Sequence, residues 1–263
     1  LGLGNTLAGG SLSEESFTPA DLGSKLICWL PYNEGQTNLS GTDGNADNEI
    51  KWADASGNGR HATQRVSAEK PSFSSGHAVF DDGAGSAAPD NFILQGGAIQ
   101  FGRVGGSTSG DIVPFSITIA IFRDHDDDTQ DLFLGGDDST EFLGFTATTT
   151  NIKIRGKTLD SAVYASGTFP DQTILILTFE KAADGSFVIY KSGDALDVAS
   201  GDAISLASSN DNDLSLALLG SYRDNNDNKN FGGRIYEFIV CDAVLSAGER
   251  ANVASYLASK LGI

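Results

Sequence analysis

Trp52 to Gln64, WADASGNGRHATQ, is the stretch on which the reading of this fold turns. Asp54, Ser56, Gly57, Asn58 and Gly59 are turn formers placed directly behind an aromatic strand residue, and none is an obvious nucleophile or base. Asp and Asn side chains bond their own backbone two residues on, and glycine supplies positive φ. The segment therefore predicts a tight, self-bonded corner leaving a strand. Its counterpart is the end of the chain, FGGRIYEFIVCDAVLSAGERANVASYLASKLGI, which reads as a strand, a loop and one helix. Ser246 is placed to cap a helix over Ala247 to Leu261, with Glu249 three residues later completing a capping box. Val253, Leu257 and Leu261 form an i, i+4, i+8 stripe that should lie against the body of the protein.

Between these two ends the chain is rich in strand signals. KLICWL, Ile50-Lys51-Trp52 and NFILQG read as strands, and PSFSS with HAVFDDG reads as a hairpin. Phe115 to Arg123 sets Ile117, Ile119 and Ile121 against Thr118, Ala120 and Phe122, a period of two. Asn151 to Arg155 alternates cleanly, so one of its faces should meet water. Ile174 to Leu177 is apolar at every position, which suits a strand covered on both faces, and Ala183-Asp184-Gly185 then turns the chain into Phe187 to Tyr190. Leu214 to Gly220 and Arg234 to Cys241 are further strands. Strands at this spacing predict an all-β fold of two packed antiparallel sheets, a jelly-roll sandwich with one C-terminal helix. At 263 residues it is read as a single domain, residues 17–263.

Residues 1–16 are Gly/Ser-rich and carry few large apolar groups. They are expected to form an arm that cannot pack alone, with Leu1, Leu3, Leu7 and Leu12 as small anchors for a partner. The segment has no basic region and no sustained apolar core, so it does not read as a signal peptide. No run approaches the roughly 18 consecutive apolar residues of a membrane span.

The formal charge is −18, from 35 acidic residues against 17 basic ones. The acids are mostly Asp, gathered in loops such as DHDDDTQD, GGDDSTE, SNDNDLS and DNNDNKN. Nucleic-acid binding is excluded as a function, because no basic stripe exists to release counterions from phosphate. Cys28 and Cys241 sit in strands near the two ends. First and last strands are commonly neighbours in a jelly roll, so a bridge is geometrically conceivable, but a free, half-buried pair is the favoured reading.

The corner and the closing strand-loop-helix together resemble the laminin-G-like, concanavalin A-like jelly rolls, which carry a W-x-D-x-SGNG-x-HATQ corner after a WL-containing strand. The likeness spans residues 17–263 and is specific at the two ends. Within that superfamily, glucanases set their acids on one strand face as E-x-D-x-x-E, and no such motif occurs in this chain. Glu237 is the one acid well inside a strongly apolar strand, and two-residue spacing makes Ile235 and Ile239 its same-face neighbours. It is read as a structural carboxylate bonded to backbone or to Arg. His61, His77 and His125 do not fall at ligand spacing, and no GxSxG, HExxH or phosphate-cradling loop appears. No enzymatic activity is expected.

No cofactor is required by this reading, but calcium is a live question, since clustered Asp and Asn supply the oxygens a hard cation needs. Asp124, Asp126 and Asp128 repeat with period two and are the candidate metal ligands. Asp43, Asn45, Asp47 and Asp54 imitate four positions of an EF-hand loop, although Asn48 stands where glycine belongs. Asp224 and Asp227 are a further acidic pair.

Jelly rolls with this WL strand, corner and closing helix resemble those appended to virion structural proteins of marine tailed phages. The resemblance implies a non-enzymatic, multi-copy virion surface protein, a capsid decoration protein or tail adhesin, attached to other virion proteins through its arm. A carbohydrate-binding module of a secreted, extracellular bacterial enzyme or adhesin is the alternative. It would need exposed aromatics where sugar rings, including those of cell-surface glycans, can stack. Trp29 and Trp52 lie in apparent strands and are expected in the core, which leaves Tyr32 and Tyr222, with Tyr164, as the candidate glycan-binding residues.

Overall fold

The structure, a computed structural model, describes residues 16–81, 90–101, 113–124, 131–135, 143–147, 151–156, 159–165, 172–183, 186–196, 215–221 and 231–263. Leu1, Leu3, Leu7, Leu12, Asp126, Asp128, Tyr222, Asp224 and Asp227 lie outside the described residues. No helix among the described residues is long and apolar enough to cross a membrane.

Two large antiparallel sheets face each other. The front sheet runs in the order β16 (Asp194–Ala195), β15 (Phe187–Lys191), β14 (Ile174–Lys181), β9 (Phe115–Arg123), β19 (Gly233–Cys241), β6 (His77–Phe80) and β5 (Ser72–Ser74). β1 (Leu26–Leu30) pairs with the other end of β19. The back sheet runs β13 (Leu159–Ala165), β12 (Asn151–Gly156), β11 (Leu143–Ala147), β10 (Asp131–Gly135), β18 (Leu218–Leu219), β7 (Phe92–Leu94), β4 (Ala62–Gln64), β3 (Ile50–Trp52) and β2 (Gln36–Asn38). β8 (Ile99–Gln100) and β17 (Ser215–Leu216) form a small separate pair.

The alternation read in β9 divides its residues between two packed faces. Phe115, Ile117, Ile119 and Ile121 point into the core between the sheets, with Trp52, Phe92 and Leu134 from the back sheet. Ala120 and Phe122 point the other way, into a second apolar layer on the outer face of the front sheet. β14 is covered on both faces as its apolar run requires. What covers part of its outer face is the helix α1 (Ala247–Leu261), through Val253 and Leu257.

The capping box of α1 forms as read. Ser246 Oγ accepts from the Glu249 N–H at 3.2 Å, and Glu249 Oε2 accepts from the Ser246 N–H at 2.8 Å. The 75–76 turn of the β5–β6 hairpin has φ of 48° at Ser75 and 85° at Gly76. Gly76 needs more than its φ, because a Cβ there would lie 2.6 Å from Asn33.

The first and last strands are neighbours, but the two cysteines cannot bridge. Cys28 faces the inter-sheet core and Cys241 the outer layer, on opposite faces of one sheet, and both are free and buried. Burial raises the pKa of both thiols, that of Cys241 to about 12.

Candidate functional site

The Trp52–Gln64 corner is self-bonded as its residues predict, and it is also a tie between the sheets. Asp54 Oδ1 accepts from the Ser56 N–H, and Oδ2 from the Ser56 hydroxyl and the Arg60 N–H, all within 2.9 Å. Oδ1 also accepts from the Trp29 N–H at 2.9 Å, across to β1 in the opposite sheet. Asn58 donates to the Leu26 carbonyl, and His61 Nδ1 accepts from the Asp54 N–H at 2.9 Å. These groups are spent on architecture.

The EF-like loop is spent in the same way. Asp43 accepts from the Ser67 N–H and from Asn48 Nδ2, and Asp47 accepts from the Thr42 N–H. Asn48 is the hub: its amide also donates to the Arg65 carbonyl and Ser67 Oγ. Its Oδ1 takes the Lys70 ammonium at 2.6 Å, and that ammonium also bonds the Leu39 carbonyl. The Asp43, Asp47 and Asn48 oxygens are thus engaged by hydrogen bonds within the fold. Among the described residues no group of three or more His, Cys, Asp or Glu is arranged to hold a metal. Asp124, of the candidate metal set, instead takes Arg234 Nη2 at 3.4 Å.

A second group of polar and aromatic side chains gathers on the outer face of the front sheet. A β-bulge creates this gathering. Ile235 pairs with Ile121 and Glu237 with Ala120, so Tyr236 and Glu237 together oppose one residue. Glu237 therefore shares the outer face with Tyr236 and Ile239, while Ile235 faces the core, contrary to the two-residue spacing. The Glu237 carboxylate is buried. It accepts from Trp29 Nε1 at 2.7 Å and the Tyr32 N–H at 3.1 Å, and Lys260 Nζ lies 3.5 Å away. The expected partner, backbone or Arg, is thus backbone together with an indole and a lysine. Burial raises its pKa; the Trp29 bond, Lys260, the Tyr32 N–H and Tyr256 oppose that rise. Lys260 also reaches Glu34 at 3.7 Å and the Tyr256 hydroxyl at 2.8 Å, so the ammonium stands between the two carboxylates.

Trp29 is half-buried on this outer face, not in the core with Trp52, because β1 alternates and Cys28 and Leu30 take the inward positions. Tyr32 is half-buried beside it and packs its ring on Tyr236, with centroids 5.8 Å apart. Tyr236 in turn lies 4.7 Å from the His77 ring. His77 is buried, and its Nδ1 has no hydrogen-bond partner among the described residues. Burial and then the Arg234 guanidinium hold its pKa below the usual range, against a Ser75 backbone bond and Asp124, which act the other way. The Arg234 guanidinium lies over Phe122, 4.3 Å from the ring centre. Val79, Phe122, Ile174 and Arg234 are half-exposed. An aromatic and polar strip thus runs from Trp29 and Tyr32 through Tyr236 and His77 to Arg234 and Asp124. Of the residues singled out in the sequence, Tyr32 and Asp124 fall at its two ends.

No protein-family model and no curated protein matches the chain. Solved structures match its fold. The binding domain of Paraclostridial Mosquitocidal Protein 1 aligns with a TM-score of 0.59 at 16% identity, over 91% of this chain and 53% of that one. Trypanosoma rangeli sialidase in complex with sialic acid aligns with a TM-score of 0.56 at 13% identity, over 90% of this chain and 33% of that one. The chain therefore spans about half of the first protein and about a third of the second. At these identities the likeness is one of fold, and it places the chain in the class of antiparallel jelly-roll sandwiches.

Proposed function

We propose that this chain is a non-enzymatic carbohydrate-binding module of an extracellular enzyme or adhesin. The observation that carries the reading is the half-exposed aromatic strip on the outer face, where Trp29 and Tyr32 offer rings and Glu34 and Lys260 offer hydrogen-bonding groups. Two structures of the same fold lend support, one a binding domain and the other a sialidase in complex with sialic acid. Glycosidases work with two carboxyl groups about 5 Å or about 6.5–9.5 Å apart on either side of the bond to be cut. Here one ammonium, Lys260, serves both Glu34 and Glu237, and Glu237 is further held by Trp29 Nε1 and the Tyr32 N–H, an arrangement that suits binding better than hydrolysis. The reading needs no metal.

The test is binding of the protein to immobilised polysaccharides and a glycan array, repeated with Trp29→Ala and Tyr32→Ala. Each substitution should weaken binding about three- to ten-fold, and no turnover of laminarin, agarose or carrageenan should accompany it. Hydrolysis that disappears in Glu237→Gln would overturn the non-enzymatic part of the reading.

A second reading is a surface protein of a tailed-phage virion, present in many copies as a capsid decoration protein or tail adhesin. It is favoured by the likeness of the two chain ends to such proteins and by the charge of −18. On this reading Leu1, Leu3, Leu7 and Leu12 would be the contacts to other virion proteins. Deletion of residues 1–16 should then abolish attachment to the particle while leaving the melting temperature nearly unchanged. Retained attachment would place docking on the sandwich instead.

A further inference from the structure

We infer that the open half of the outer face holds a seat for an uncharged sugar, built from Arg234, Asp124 and Phe122 over a floor of Tyr236 and His77. The inference rests on the carbohydrate-binding reading and adds where the ligand sits and what charge it carries.

A guanidinium has five N–H donors in a fixed plane. Among the described residues, Arg234 uses them in one long bond, 3.4 Å to Asp124 Oδ1. Its central carbon lies 4.3 Å from the Phe122 ring centre, a cation–π contact that uses none of the N–H donors. The two side chains remain open to solvent, Arg234 at 35% and Asp124 at 43% exposure. A donor thus stands next to an acceptor. Neighbouring hydroxyls of a sugar match that pair, since one can accept from Arg234 while the next donates to Asp124. Half-buried Val79 and Ile174 on the flanking strands supply apolar surface for the C–H groups of the ring.

The same pair discriminates against anions. A carboxylate or sulfate approaching Arg234 meets Asp124 as a like charge and has no proton to give it. At longer range it also meets a chain of net charge −18. Selectivity for neutral sugars therefore comes from a built-in repulsive group as well as from an attractive one.

The wild-type protein is first screened on an array of neutral, sialylated and sulfated glycans. The best ligand is then titrated calorimetrically against wild-type, Arg234→Gln and Asp124→Asn. In parallel, NMR follows the Arg234 Nε–H and the His77 ring of the wild-type protein, a readout independent of how any variant folds. The expected result is binding of neutral glycans, a loss of about ten-fold or more in each variant, and shifts of both signals on titration. Binding confined to anionic glycans overturns the seat and leaves the carbohydrate-binding reading standing. So does unchanged affinity in both variants with unmoved signals. Binding to no glycan at all overturns that reading, and the seat with it.

Discussion

The outer face of the front sheet has two halves, built from the same strands and differing in what lies over them. Under α1, each polar group named here has its partner. Thr118 and Thr178 bond each other at 2.9 Å, and Ser116 Oγ bonds Glu180 and the Ala243 carbonyl. Glu180 takes the Arg250 guanidinium at 2.8 Å, and Arg250 lies 3.9 Å over the Tyr190 ring. Beyond the helix the same face offers an arginine stacked on a phenylalanine beside an aspartate, but with one long bond where the covered pair has a short one. The difference shows how burial forces satisfaction: a covered polar group without a partner is costly, so the helix and its network come as a unit. Among the described residues the open half has Arg234 and Asp124 joined by one long bond and open to solvent.

The contrast is broken most severely by removing one partner of the covered pair. Arg250→Ala leaves Glu180 buried and unpaired and should cost about 3–5 kcal/mol of unfolding free energy, read by denaturant titration. Leu257→Ala, which empties the apolar contact of the helix, should cost about 2–5 kcal/mol in the same measurement. If either variant melts like wild-type, α1 does not hold the outer face closed.

Loss of the helix cap is smaller. Ser246→Ala should destabilise by about 1 kcal/mol. The acid beside it adds a pH dependence. The hydrogen bond from Lys25, then those from Ser246, lower the Glu249 pKa from its ordinary 4.5 to about 2. A depressed carboxyl stabilises the fold above its unfolded value and loses that contribution as pH falls from about 4.5 toward about 2. Glu249→Gln keeps the form of the capping box but should flatten the acid limb of the melting-temperature curve over that window. An identical limb in both proteins would remove Glu249 from the account.

The smallest effect belongs to the open half. Arg234→Gln should change unfolding stability by no more than about 0.5 kcal/mol, because its ion pair is exposed. A loss comparable to that of Arg250→Ala would mean that Arg234 is structural and that the two halves do not differ in kind.

Much of this was legible in the chain. The SGNG corner, the period-two strands, the apolar run of β14 and the capped helix are local patterns, and each formed where its residues indicated. What went astray depended on neighbours distant in sequence. Trp29 was expected in the core, yet the outer position next to Cys28 and Leu30 is decided by pairing with β19. The bonding of the Asp and Asn loop at 43–48 was likewise hidden, because the partners of Asp43 and Asn48 include Ser67 and Lys70 from beyond the next two strands.

By itself, the sequence determined the fold class, the closing helix and the net acidic charge, because periodicity, capping and charge act over a few residues or as simple sums. The tertiary structure alone decided which face Glu237 takes, since one extra residue in a bulge reverses the alternation downstream and leaves no mark on local composition. It also decided that Tyr32, His77, Arg234 and Asp124 share one strip. Those four come from separate segments of the chain, and only the antiparallel pairing of β19 with β1, β6 and β9 sets them side by side.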